Sequence, residues 1–398
     1  MSAAAASRAR RVLLATAGLL AGLAVPSRAQ IGITTASGWT VTLAGNVNAF
    51  YVFEHESNAG RTVSPGALVG AGASRSAVRS GYLPAYLVVD AKGTENGLAL
   101  GVHFGVAPQI GTDEGAEEGS RARIDFRQAY LAVGGGWGQV LAGRELGVFQ
   151  RQSFLADMSL FGVGATGGGV AESGRPVLGR SGYGYVYPGF DAQLAYSTPA
   201  GRALQLTVAL ADPTANNGFT GLPAPRVEAE ASWRRGGAHV WAGSLVQAER
   251  DTALDAGATA WGVTAGGRVD AGAIAVVVSA YSGRGIGATF RFADGRSADT
   301  LGTAALRSSH GLMAQVAWNP AKGALTVAAS AGESAIESRA GEPAFTTKNR
   351  SATAGVYLRA TPSLRLAAEL TLARSIDDDA LTADNASTAV ATGLMLFF

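Results

Sequence analysis

The sequence predicts an all-β chain, a transmembrane antiparallel β-barrel of sixteen strands. Three observations lead there. From residue 40 to the C-terminus apolar residues alternate with small or polar ones at period two, in runs of mostly about 8 to 14 residues. Successive runs are joined alternately by short and long connectors. The chain is 47% hydrophobic and 16% charged with 55 glycines, yet beyond the first thirty positions it has no run of about 18 apolar residues, so a spanning helix is not expected.

Residues 1–29 read as a secretory signal, with Arg8, Arg10 and Arg11 at the charged end, an apolar stretch 12–25, and Ser27-Arg28-Ala29 as a small-x-small cleavage site. About 14 apolar residues are too few to span a bilayer comfortably. The mature chain is expected to start at Gln30. The segment carries four arginines and no acid, so its removal takes the formal charge from +2 to −2. A basic patch for nucleic acid is not expected in the mature chain. The sequence has no cysteine, which excludes disulfides and thiolate metal sites. Arginine outnumbers lysine 29 to 3.

The first run, 40–53, sets Val41, Leu43, Val47, Ala49, Tyr51 and Phe53 on one face and Thr40, Thr42, Asn46 and Asn48 on the other. Runs follow at 82–92 and 98–107; in the latter Leu98, Leu100, Val102, Phe104 and Val106 oppose Ala99, Gly101, His103 and Gly105. The fourth and fifth runs, 121–133 and 137–143, meet at a Gly-Trp-Gly turn. The remaining runs are 190–198, 204–211, 226–234, 238–249, 258–269, 273–283, 309–319, 324–331, 351–360, 364–373 and 387–398. Seven connectors are short, about three to five residues, and eight are longer, which puts both termini on the short-turn side of a closed barrel. Closure is required because hydrocarbon offers no hydrogen-bond partner to an open sheet edge. No linker divides residues 40–398, so residues 30–398 are expected to form one domain.

The charged faces identify the lumen. In the eighth run Val227, Ala229, Ala231 and Trp233 alternate with Glu228, Glu230, Ser232 and Arg234; in the fifteenth Leu364, Leu366, Leu370 and Leu372 alternate with Arg365, Glu369 and Thr371. An Arg or Lys midway along a lipid-facing surface costs about 2–4 kcal/mol, so these rows should face water inside. Tyr51, Phe53, Tyr82, Tyr130, Trp137, Tyr196, Trp233, Trp318, Phe397 and Phe398 lie near run ends and are expected in interfacial girdles. In the fourth run Ile124, Phe126 and Tyr130 are expected outside, leaving Arg121, Arg123, Asp125 and Arg127 inside, with neighbouring members of this row roughly 7 Å apart.

Enzyme chemistry is not evident. The four histidines, His55, His103, His239 and His310, sit in no nucleophile or metal motif. Asp113, Glu114, Glu117 and Glu118 read as solvated loop charge, and the Gly162–Gly169 stretch lacks the Lys-Ser/Thr of a phosphate loop.

The segment "RQAYLAVGGGWGQVLAGRELG", the first strand "GWTVTLAGNVNAF", the leader and the terminal "TGLMLFF" resemble the general trimeric porins of Gram-negative bacteria. The resemblance implies an outer-membrane homotrimer of sixteen-stranded barrels, each a water-filled path for small hydrophilic solutes and ions. It implies no cofactor. Lipid, lipopolysaccharide and the barrel-assembly machinery are its implied partners, and Phe398 resembles the terminal signal that machinery reads. It also implies that the third extracellular loop folds inward; that loop is expected at about 144–189, the longest connector. Family porins set acidic loop residues against basic wall residues. Here the loop acids would be Glu145, Asp157 and Glu172, Arg144 matches a wall arginine, and Arg151, Arg175 and Arg180 add positive charge to the loop. Rings of arginine favour anions, so anion preference is expected. A substrate-specific channel for carboxylates or phosphate is the alternative reading, with a barrel enzyme or adhesin behind it.

Overall fold

The computed structural model describes residues 31–57, 74–108, 110, 124–166, 177–214, 222–251, 254–296, 304–320, 323–378 and 384–398. The leader, Arg121, Arg123, Glu172, Arg175 and the acids at 113–118 lie outside the described residues. The chain forms a closed antiparallel barrel of sixteen strands. In chain order these are β1 (Thr40–Ser57), β2 in two segments (Ser74–Arg79 and Tyr86–Glu95), β3 (Leu98–Pro108), β4 (Ile124–Gly135), β5 (Gly138–Leu146), β6 (Phe190–Ser197), β7 (Leu204–Ala211), β8 (Arg226–Arg235), β9 (Ala238–Asp251), β10 (Ala256–Ala271), β11 (Ile274–Arg284), β12 (Ser308–Trp318), β13 (Leu325–Glu337), β14 (Thr346–Arg359), β15 (Leu364–Asp377) and β16 (Asn385–Phe397). β16 closes the ring on β1, in register from Ala386 opposite Ser57 to Phe397 opposite Asn46. A short strand, Ile31–Thr34, continues that edge by pairing with Thr40 to Leu43. Among the described residues no helix is long and apolar enough to cross a membrane.

The period-two pattern becomes two surfaces. Val227, Trp233, Leu366, Leu370 and Leu372 lie exposed on the outside, while Glu228, Glu230, Glu369 and Thr371 are buried inside. Lipid replaces water around the outer row, so the apolar exposure is the expected finish of a membrane barrel. Tight turns hold the hairpins: Asn96 and Gly97, both at positive φ (48° and 80°), join β2 to β3 with the backbone twist that favours Asn-Gly.

Three sequence expectations change. β2 does not run from residue 82. Pro84 lacks the donor a strand interior needs, and residues 80–85 leave the ladder. Asn48 bridges the gap, its Oδ1 accepting the Gly81 N–H at 2.8 Å and its Nδ2 donating to the Leu83 carbonyl at 3.0 Å. Second, Tyr130 faces inward, with 6% of its surface exposed. The register slips between Gly105 and Val106, so that Arg127 is an extra residue between the Phe126–Val106 and Gln128–Gly105 pairs. This β-bulge flips the alternation beyond it. Third, Tyr82 and Phe397 are buried and leave the girdle with Tyr130, whereas Tyr51, Phe53, Trp137, Tyr196, Trp233 and Trp318 stay exposed.

The barrel is not hollow. The long connector between β5 and β6 turns into it over its described parts, 147–166 and 177–189, carrying helix α1 (Arg151–Ala156) and a 3₁₀ turn (Met158–Phe161). Phe154, Leu160, Val163, Val177 and Tyr185 pack against the wall residues Phe50, Val52, Trp241, Val277 and Met313. Each fully buried large apolar side chain contributes about 1.5–3 kcal/mol, so this inner core is a substantial reason for the loop to stay in place.

Candidate channel constriction

A loop inside a barrel must find partners for its own backbone N–H groups. Here the wall supplies them, mostly from acidic and amide side chains in mid-strand. On β8 the Glu228 carboxylate accepts the Val148 and Phe149 N–H groups at 2.6 and 2.8 Å. On β15 Glu369 accepts Val163 and Gly164 at 2.7 and 2.8 Å, with the Tyr357 hydroxyl at 2.5 Å. On β12 the Gln315 side chain accepts the Met158 N–H at 2.7 Å and donates to the Ala156 carbonyl at 3.1 Å. Ser334 on β13 takes the Gly184 N–H at 2.9 Å. On the opposite wall the Tyr82 and Leu83 N–H groups, freed by the break in β2, donate to the Gly162 and Leu160 carbonyls, and Thr166 bonds Glu54 of β1. The loop is thus tied to strands around most of the circumference.

The base of the loop is held by charge. Arg226 on β8 donates to Glu228 and to Asp191 of β6 at 2.7 and 2.6 Å. Arg291, from the inward-turning connector after β11, pairs with the same two acids. All four side chains are buried or nearly so, and each buried charge is matched, as buried ions require. Arg151 of α1 pairs with Glu230 at 2.7 Å, and Gln152 donates to the same carboxylate at 2.8 Å.

The sequence-predicted site residues divide into three groups. Asp125 and Arg127 come together at a cavity of about 200 Å³ that also borders Tyr82, Tyr187, Phe190 and the Arg144 position of β5. Arg127 donates to Asp125 at 2.8 Å and lies 5.7 Å from the Phe190 ring centroid. Arg144 does not take the lumenal place expected of it: it is exposed, alternates with inward Glu145, and pairs with Ala129 of β4 and Ala192 of β6 in the outward row that holds Leu131 and Leu194. The second is Glu145, expected as a loop acid but part of the wall: it belongs to β5, and the loop begins only after Leu146. Glu145 accepts two bonds from Gln128, at 2.9 and 3.0 Å, beside inward Tyr130, which stacks on His103 at 4.7 Å. Asp157 forms the third group, because it is buried inside the loop instead of facing the wall across water. It accepts Ser159 N–H and hydroxyl at 2.9 and 2.6 Å, the Arg180 N–H at 3.0 Å and the Tyr185 hydroxyl at 2.8 Å. Burial lifts its carboxyl above the ordinary value, opposed by the bonds from Ser159 and Tyr185 and by the charge of Arg180. Arg180 is also buried, its guanidinium donating to the Ser351 carbonyl at 2.9 Å, and burial pulls its pKa down.

Sequence reading missed the anchors. It placed Glu228, Glu230 and Glu369 on the lumen face but assigned them no task. Isolated acids in mid-strand, opposite a long loop with unpaired donors, were the available signal. One glycine is also essential to the seam: a Cβ on Gly81 would lie 2.5 Å from the Gly162 carbonyl oxygen and 2.6 Å from the Phe50 ring. Gly81→Ala is expected to push the loop from β2 and cost about 1–3 kcal/mol, read as a lower unfolding temperature of the folded barrel.

Phe398, the last residue, pairs with the first strand. Gly45 N–H donates to its carbonyl at 2.9 Å, and its own N–H returns to Gly45 at 3.0 Å.

A closed barrel with an apolar outside, a polar lumen and a long connector bound across that lumen defines an outer-membrane channel. The chain belongs to the Gram-negative porin family, whose profile matches residues 15–393. No curated protein matches it by sequence. Solved structures share the fold. The outer membrane channel DcaP of Acinetobacter baumannii superposes with a TM-score of 0.69 at 16% identity, over 92% of this chain and 99% of that one. The anion-selective porin from Comamonas acidovorans gives 0.65 at 16%, over 90% and 100%. OmpT of Vibrio cholerae in a trimer form gives 0.56 at 14%, over 90% and 99%. The protein is a porin of the bacterial outer membrane.

Proposed function

We propose that this porin passes small hydrophilic solutes and ions by diffusion, that the 147–189 loop sets the width of the path, and that anions pass preferentially. The observation that carries the reading is the attachment of the loop across the lumen by Glu228, Gln315 and Glu369. Beside such a bridge a space of about 200 Å³ remains at the wall, bordered by Asp125 and Arg127. In that space the guanidinium of Arg127 stands on the lumen wall, and a lumenal arginine supports anion preference; the likeness to a solved anion-selective porin points the same way. Arg121, Arg123, Glu172 and Arg175 belong to the same proposed constriction on sequence grounds.

The chain is proposed to assemble as a homotrimer, and Phe398 to be the signal read by the assembly machinery; both rest on the family. A channel role rather than an enzymatic one is supported by membership of the porin family.

Reversal potentials of the purified protein in a potassium chloride gradient test the selectivity. An anion-preferring sign is expected, weakened by Arg127→Gln. A clear cation-preferring sign in the unaltered protein would contradict the reading.

A further inference from the structure

The underside of the loop opens into a second cavity, of about 270 Å³, toward the short-turn end of the barrel. Its lining includes Arg268, Arg359, Arg365, Gln315, Asn319 and Tyr357. Arg359, near the end of β14, and Arg365, near the start of β15, are direct cross-strand partners. Both sit in the inward row, two and four residues along from the lumenal Tyr357 and Glu369 respectively. Like charges directly opposite each other are unfavourable in a sheet, and elsewhere in this lumen arginines are neutralised, as at Arg151, Arg226 and Arg291. Here they are not. Neither side chain forms a hydrogen bond or ion pair with any described residue, and the buried Nε of Arg365 has no partner.

The surroundings hold the pair in place without satisfying it. The Arg365 guanidinium stacks 4.0 Å from the Phe161 ring centroid on the loop and 5.3 Å from that of Phe397, which occupies its faces and leaves its edge donors free. The nearby acids are already engaged: Asp157 with its four donors inside the loop, Asp270 with Arg268 at 2.7 Å, and Glu369 with the loop backbone. Gln315 is likewise bound to the loop at both ends.

We infer that Arg359 and Arg365 form a two-guanidinium site for the oxyanion of a passing solute, a carboxylate or a phosphate, in the vestibule below the loop. A planar or tetrahedral oxyanion matches the fixed donor fork of each guanidinium and removes the repulsion between them. The site lies on the wall away from Arg127, across the loop, so it would act on solutes after or before the constriction and not within it. The inference rests on the channel reading.

The test is current blockade of single channels in planar bilayers, with the full protein in potassium chloride. Succinate and inorganic phosphate are added in separate arms, to each side in turn. Saturable blockade is expected from at least one of them. The arm that blocks names the class of oxyanion, and blockade by both assigns the shared chemistry. Arg359→Gln and Arg365→Gln should each weaken the blockade about tenfold or more while the channels still open in potassium chloride. Arg365→Lys, which keeps the charge without the fork, should recover only part of it. Open channels with no blockade by either anion, or blockade unchanged in both glutamine variants, would overturn the site and leave the channel reading standing. Folded protein without any conductance would instead overturn the channel reading.

Discussion

Replacing Glu228 by alanine is expected to cost about 3–5 kcal/mol, because it leaves buried charge without its counter-ion. Glu228 is fully buried, and four groups depend on it: the Val148 and Phe149 N–H groups, Arg226 and Arg291. Asp191 alone would then face two guanidiniums. The loop base is the part free to respond, so the loss should appear both as a lower unfolding temperature and as a noisier, larger open-channel current. Glu228→Gln keeps the shape but not the charge, and should fall between wild type and alanine. A variant as stable as wild type with unchanged conductance would show that the loop base is held by packing alone.

The second large effect belongs to Glu369. Its carboxylate accepts Val163 and Gly164 N–H, and a Cβ on the adjoining Gly162 would lie 2.1 Å from its Oε1, so loop and carboxylate are in close contact. Glu369→Ala strands two backbone donors and the Tyr357 hydroxyl, at about 1–3 kcal/mol for each group left buried and unpaired. The backbone escapes that cost by moving toward water. The expected result is therefore a displaced loop and a higher single-channel conductance, with a smaller loss of stability than at Glu228, where charges are stranded. Glu369→Gln retains acceptor and size and should stay near wild type. An alanine variant with wild-type conductance would mean that the middle of the loop does not limit the path.

Much of this architecture was legible in the residues. Strict alternation in β8 and β15 assigned Val227 and Leu370 to lipid and Glu228 and Glu369 to the lumen, because charge in hydrocarbon is costly and the pleat has period two. What escaped prediction depends on tertiary pairing. The bulge at Arg127 turns Tyr130 inward, and nothing local distinguishes a strand with one extra residue from one without it. Asp157 read as a free loop acid because its partners, Ser159, Arg180 and Tyr185, are assembled only when the loop folds on itself. The break in β2 was partly signalled by Pro84, but its use, donating residues 82 and 83 to the loop, required the loop's position.

The porin reading and the anchoring of the loop are joined in one measurement, the single-channel conductance of the full protein beside a Glu228→Ala, Glu369→Ala double variant. Discrete conductance steps are predicted for the unaltered protein and distinctly larger ones for the variant, since both carboxylate anchors are gone. Equal steps in the two proteins would contradict the claim that the loop limits the path, and folded wild-type protein with no steps would contradict the claim that it is a channel.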